Sequence, residues 1–164
     1  MGTFIRTASE RDLPAVRELL GVCWHATYDG IYGAERVSVI TAEWHSMASL
    51  KARLAKPYSE FIVAEGGAGL AGMAYASQSD PGFVMLHQLY LLPQAQGRGL
   101  GAEMLAEIEA AFPDAKAIRL EVEAANEKAV GFYARRGFVT VSRTENCGKE
   151  QSGIAALVMQ KTLF

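Results

Sequence analysis

Three glycines, Gly97, Gly99 and Gly101, stand near the end of the stretch Leu89-Tyr90-Leu91-Leu92-Pro93-Gln94-Ala95-Gln96-Gly97-Arg98-Gly99-Leu100-Gly101-Ala102. An apolar, strand-like segment runs into a proline, then a glycine-rich turn, then a helical pattern that reads on from Gly99. The N–H groups at such a helix start lack intrahelical partners, glycine lets a ligand come close, and the helix dipole favours an anion there. The chemistry on offer is the holding of a phosphate-bearing ligand. The competing reading is a plain loop in which glycine serves turn geometry. Further on, Glu121 and Glu123 share one face of a strand by alternation. His87, two residues before Leu89, suits base chemistry or a hydrogen-bonded place in the core. Tyr133 offers a phenol that can donate a proton, or a ring that packs at helical spacing from Val130.

These groups need a frame. Residues 3–8 read as a strand. Ser9 and Asp12 mark a helix start close to a capping box, and Leu13, Val16, Leu19, Leu20 and Cys23 continue at helical spacing to about Tyr28. Residues 29–34 read as a turn. A second helix is predicted from Val37 through Trp44 to Leu54, ended by Pro57. Strands follow over 61–65, 70–78 and 83–92, separated by turns at 66–69 and 79–82. Gly72 marks a bulge or a close backbone approach. After the glycine loop comes a helix over 99–112, a strand over 117–122, a helix from Asn126 closed by Gly137, and two last strands over 138–142 and 154–161. The order β-α-α-β-β-β-α-β-α-β-β is an α+β plan: one sheet with helices packed on it.

A chain of 164 residues predicts one domain spanning 1–164, with room for a sizeable core. Its net charge of −2, without a long run of one sign, speaks against general binding to nucleic acid or to an anionic membrane. The apolar runs are too short to span a bilayer. The segment from Met1 to Arg6 lacks the apolar core of a signal peptide, so a cytoplasmic location is expected. Cys23 and Cys147 form no metal-like cluster; reduced structural thiols and no metal site are expected.

Two readings of the loop compete. Gly97, Gly99 and Ala102 fit the dinucleotide pattern G-x-G-x-x-A, with Glu121 about 20 residues on where an acidic residue holds a ribose. Against it, Pro93 to Gln96 separate the strand from the first glycine, the loop follows a meander of hairpins, and too little chain remains for a second mononucleotide half. The other reading takes Gln96, Gly99 and Gly101 as Gln-x-x-Gly-x-Gly. This resembles the pyrophosphate loop of the GNAT superfamily of acyl-CoA-dependent N-acetyltransferases. A second match lies in Asn126-Glu127-Lys128-Ala129-Val130-Gly131-Phe132-Tyr133-Ala134-Arg135-Arg136-Gly137-Phe138, which resembles the family's Asn-x-x-Ala-x-x-Phe-Tyr-x-x-x-Gly-Phe helix. Both motifs stand in the family's order, and the likeness in element order covers residues 3 to about 161. The strand at Glu121 and the Asn126 helix resemble ribosomal-protein alanine acetyltransferases. The N-terminal helices and the chain's ending resemble bacterial polyamine acetyltransferases.

The resemblance implies a GNAT fold, a mixed and mostly antiparallel sheet flanked by helices, with the motif-bearing strands splayed apart. It implies acetyl-CoA as cofactor, its pyrophosphate on the backbone of Gln96, Gly97, Arg98, Gly99, Leu100, Gly101 and Ala102, with Asn126 as helix cap and cofactor contact. The pantetheine arm would pair with backbone of Leu89 and Leu91, whose side chains belong to the core. Tyr133 takes the place of the general acid and Glu121 that of the base, with Glu123 in reserve. Trp24, Tyr28, Tyr32 and Trp44 cluster in the acceptor region, where aromatics enclose an amine or simply fill a core. With His87, Trp24 and Tyr28 are the expected acceptor contacts; His25 and His45 read as helix-surface histidines. The expected reaction is direct acetyl transfer to a primary amine of a small molecule. Peptide N-terminal acetylation and a non-catalytic acyl-CoA-binding module are the alternatives. Family members are often dimers, so a homodimer is the corresponding expectation.

Overall fold

The computed structural model describes residues 2–146 and 154–163. A seven-stranded sheet runs in the order β1-β2-β3-β4-β5-β7-β6. Its strands are β1 Phe4–Thr7, β2 Ser59–Gly66, β3 Gly69–Asp80, β4 Phe83–Leu91, β5 Ala117–Glu123, β6 Val139–Thr144 and β7 Ala156–Thr162. Every neighbouring pair is antiparallel except β4 and β5, which are parallel. That parallel pair needs a crossover, which the helix α4, Leu100–Ala110, supplies. This is the mixed sheet expected, and it excludes the dinucleotide fold, whose sheet is built from repeated parallel crossovers.

Alternation sorts the strand residues onto two cores. Ile62, Ala64, Ala74 and Ala76 pack with Met104, Leu105 and Ile108 of α4. Their neighbours Phe61, Val63, Met73 and Tyr75 pack with Leu13, Val16 and Leu20 of α1, Leu13–Tyr32. Gly72 is a point of close approach: a Cβ there would lie 2.5 Å from Leu91 Cδ2 and 2.9 Å from the Tyr90 carbonyl. The bulged residue is its neighbour Ala71, since Ala64 faces Gly72 and Glu65 faces Leu70.

The N-terminal helices depart from the sequence reading in two places. The expected turn at 29–34 is largely helix, because α1 continues to Tyr32 and stops at Gly33, whose φ of +88° L side chains rarely adopt. The single helix expected over 37–54 is two: α2, Ala34–Trp44, and α3, Met47–Ala55. The break falls at His45 and Ser46, and the Ser46 hydroxyl caps α3 by accepting the Ser49 N–H at 3.1 Å. At the chain's start, the Asp12 carboxylate accepts the Ser9 N–H at 2.8 Å and pairs with Arg6 at 2.9 Å, tying β1 to the first helical turn. Cys23 is buried, donates to the Leu91 carbonyl at 3.2 Å, and burial pushes its thiol up to about 12. Cys147 and the rest of the segment 147–153, between the last two strands, lie outside the described residues.

Candidate active site

The parallel pairing of β4 and β5 begins at Phe83 and Ala117 and ends at Leu86 and Leu120, while the strands continue to Leu91 and Glu123. Beyond that point they separate. The divergence starts at a bulge: Tyr75 of β3 faces Gln88 and Ala76 faces Leu86, which leaves His87 as the extra residue. The bulge reverses the strand's parity. Val84 and Leu86 pack toward α4, and so do Leu89 and Leu91. The Leu92 N–H pairs with the Ala71 carbonyl at 2.9 Å. By alternation, the main-chain groups of Leu89 and Leu91 point away from β3, into the gap left by β5.

The glycine loop closes one end of this gap. Gly97 and Gly99 have φ of +79° and +84°, and open space lies where a Cβ would be. The first bond of α4 runs from the Glu103 N–H to the Gly99 carbonyl at 3.1 Å. Among the described residues, the N–H groups of 97–102 find no backbone acceptor. Such donors can hold an anion; Arg98 is exposed beside them and Leu100 is buried beneath. Gly101 serves packing instead: a Cβ there would meet Phe132 at 3.1 Å, which sets how closely α5, Glu127–Arg135, lies against α4. The half-buried Ala102 completes this first turn. Gln96 bridges the elements, donating to the Leu91 carbonyl at 3.2 Å and accepting from Lys128 at 2.6 Å.

Asn126 caps α5 by accepting the Ala129 N–H at 3.2 Å, and its amide donates to Tyr28 Oη at the same distance. Tyr28 in turn donates to Glu123 Oε2 at 2.6 Å. Burial first, then the charges of Tyr90 and Glu123, keep Tyr28 protonated. Tyr133 is buried between Phe132 and Phe138, with ring centroids 5.2 and 5.4 Å away. Burial, followed by the charge of Glu123, raises its pKa, so it is a phenol at neutral pH.

A cleft of 560 Å³ opens on the side of the sheet that carries α1 to α3. Glu121 and Glu123 line it together, as strand alternation requires, and Trp24 and His87 line it too. Tyr28 stands behind the wall, 1% exposed, and reaches the cleft through Glu123. The His87 ring lies 2.7 Å from Ser77 Oγ and stacks on Tyr75 at 5.3 Å. Its outer edge meets solvent, but desolvation of the ring, then the charges of Lys56 and Arg53, bring its pKa down to about 4. The aromatic cluster is present: Trp24 packs on Tyr28 at 4.6 Å and on Trp44 at 5.6 Å, and Tyr28 on Tyr32 at 5.6 Å. His25 is a surface residue, 2.6 Å from Asp29. His45 is not: it is 2% exposed and lines the cleft, and burial lowers its pKa to about 3. Arg53 and Gln88 also line the cleft, and no motif marks either of them.

A parallel pair that separates, with unpaired main-chain N–H groups at its mouth and carboxylates in the cleft, is what the resemblance to acyl-CoA-dependent acetyltransferases implies. The profile of the acetyltransferase (GNAT) domain matches residues 27–163, and the chain belongs to that family. An uncharacterized N-acetyltransferase of Mycobacterium tuberculosis is 30% identical over 118 residues, 70% of this chain and 76% of the relative. The N-alpha-acetyltransferase RimI of the same organism is 30% identical over 97 residues; the match spans 57% of this chain and 61% of that protein's length. In fold, the chain is similar to the PaiA N-acetyltransferase from Thermoplasma acidophilum, solved in complex with coenzyme A. That likeness has a TM-score of 0.87, 24% identity and 99% of both chains covered. It is also similar to the ribosomal-protein alanine N-acetyltransferase of Escherichia coli, with TM-score 0.75 and 18% identity over 99% of this chain and 94% of that one.

Proposed function

We propose that this chain transfers an acetyl group from acetyl-CoA to a primary amine of a small molecule, directly within a ternary complex. The observation that carries this reading is the coincidence of the β4–β5 gap with the acceptor-less N–H groups of 97–102 at its mouth. Bound acetyl-CoA supplies a thioester, whose carbonyl carbon is electrophilic and whose sulfur leaves as a thiolate. The N–H groups of 97–102 hold its pyrophosphate, with Arg98 adding charge. The main chain of Leu89 and Leu91 orients its arm in the gap, and Asn126 and Gln96 fix the loop edges.

An alkyl ammonium with a pKa near 10.4 must lose about 3 units' worth of protonation at pH 7, roughly 4–5 kcal/mol. Glu121 takes that proton. Glu123 already accepts the Tyr28 hydroxyl at 2.6 Å and is the reserve. The amine nitrogen forms a bond to the carbonyl carbon as the carbon–sulfur bond breaks. Tyr133, held protonated by burial, hands its proton to the departing thiolate. Trp24 and His87 shape the acceptor's surroundings, and Tyr28 does so through Glu123.

The 30% identity to an N-alpha-acetyltransferase favours a second reading, in which the amine is a peptide N-terminus. Mass spectrometry of amine and peptide panels incubated with acetyl-CoA decides between them. Acetylated small amines support the proposal; acetylated peptides alone support the second reading. If neither is modified while acetyl-CoA still binds, the chain is an acyl-CoA-binding module.

A further inference from the structure

The cleft carries charge of both signs: Glu43, Glu121 and Glu123 line it, and so does Arg53, from the last turn of α3. Arginine keeps its charge at any physiological pH and offers five N–H donors. Two are accounted for: Nη2 donates to the Trp44 carbonyl at 2.5 Å, and Nη1 lies 3.3 Å from His45 Nδ1. Since arginine only donates, His45 Nδ1 is the acceptor and its Nε2 carries the hydrogen. That Nε2–H is buried and has no partner. The Trp24 ring lies 6.0 Å from that of His45, and its indole N–H is also buried and unpaired. Arg53, His45 and Trp24 thus bring donors to one cleft, which also holds one buried acceptor without a partner, Gln88 Oε1. Buried donors without partners are costly and rare in folded proteins, and at a cleft wall they point to an acceptor brought by a ligand.

Resting on the acetyltransferase reading above, we propose that the acceptor is an amino acid-like molecule, an amine that also bears a carboxylate. The carboxylate docks at Arg53, with His45 and Trp24 supplying the neighbouring donors, and the amine lies toward Glu121 and Glu123. A carboxylate fits because its two oxygens match the planar guanidinium fork and return the lone pairs that the donor group lacks. A volume of 560 Å³ suits a molecule of this size.

The test is steady-state acetylation of matched pairs: amino acids and the amines they give on decarboxylation, with spermidine and phosphoethanolamine alongside. Wild type, Arg53→Gln and Arg53→Lys are compared, each shown to be folded by circular dichroism and to bind acetyl-CoA by calorimetry. The expected result is that wild type prefers the carboxylated member of a pair by roughly 10- to 100-fold in kcat/KM, the range of a charge-assisted hydrogen-bonded contact. Arg53→Gln should collapse that preference through KM, and Arg53→Lys should restore part of it. Preference for the decarboxylated amines, for spermidine or for phosphoethanolamine overturns the proposal. So does an Arg53→Gln variant that retains the preference. Acetyl-CoA binding with no member of the panel acetylated contradicts this acceptor class and leaves the cofactor reading standing; failure to bind acetyl-CoA overturns both.

Discussion

The two ends of the β4–β5 gap are built from different materials. The mouth is made by main chain: the N–H groups of 97–102, left without acceptors by two glycines with positive φ. The acceptor cleft is made by side chains drawn from α1, α2, α3, β3, β4 and β5. A main-chain site asks the sequence for little more than turn geometry, so it can hold one constant ligand while the rest of the chain drifts. A side-chain site changes its ligand whenever one residue changes. Structures that share only 18–24% identity with this chain keep its fold.

The contrast is open to attack by substitution. The largest effect is expected at the proposed general acid. Tyr133→Phe should lower kcat by about 10²- to 10⁴-fold, the range for a lost general acid, while calorimetry finds acetyl-CoA affinity unchanged. An equal loss of affinity would make Tyr133 a packing residue. Next, Glu121→Gln should lower kcat/KM by roughly 10²-fold. Glu123→Gln should cost less in rate; if the order is reversed, the base assignment moves to Glu123. At the mouth, Gly99→Ala places a Cβ at φ +84°. Strain of roughly 1–2 kcal/mol there should weaken acetyl-CoA about tenfold and leave the acceptor's KM alone.

A further effect concerns stability rather than rate or affinity. His45, with its folded pKa lowered to about 3, stays neutral in the native state, whereas the unfolded chain protonates it below about 6.5. Between those values the unfolded state binds more protons, so stability should fall as pH falls, by up to about 1.4 kcal/mol per unit. Asp12 acts in the same direction at lower pH: hydrogen bonding from Arg6 depresses its pKa, and its contribution is lost as the carboxylate protonates below about 4. Urea midpoints measured from pH 7 to 4 should show a shallower slope in His45→Gln than in wild type.

Much of the mouth was legible in the sequence because turn chemistry is local. Gly97 and Gly99 had to be glycine for the chain to turn, and Asn126 had to cap its helix. Strand alternation was enough to pair Glu121 with Glu123. The cleft was less legible. The bulge at His87 carries no glycine or proline, and only the switch in parity between Leu86 and Leu89 betrays it. Helical spacing ran unbroken from Val37 to Leu54 and hid the break at His45; Ser46, a capping residue, was the available signal. Without that break His45 reads as a surface residue, and nothing in the sequence pattern singles out Arg53. Their juxtaposition depends on how α2 and α3 meet over the sheet, which no short window of sequence contains.

The most direct test of the central claim is calorimetric titration of the purified protein with acetyl-CoA, with NADH as the parallel ligand. The account predicts saturable binding of acetyl-CoA, weakened in Gly99→Ala, and none of NADH. Absence of acetyl-CoA binding, or binding of NADH in its place, would contradict it.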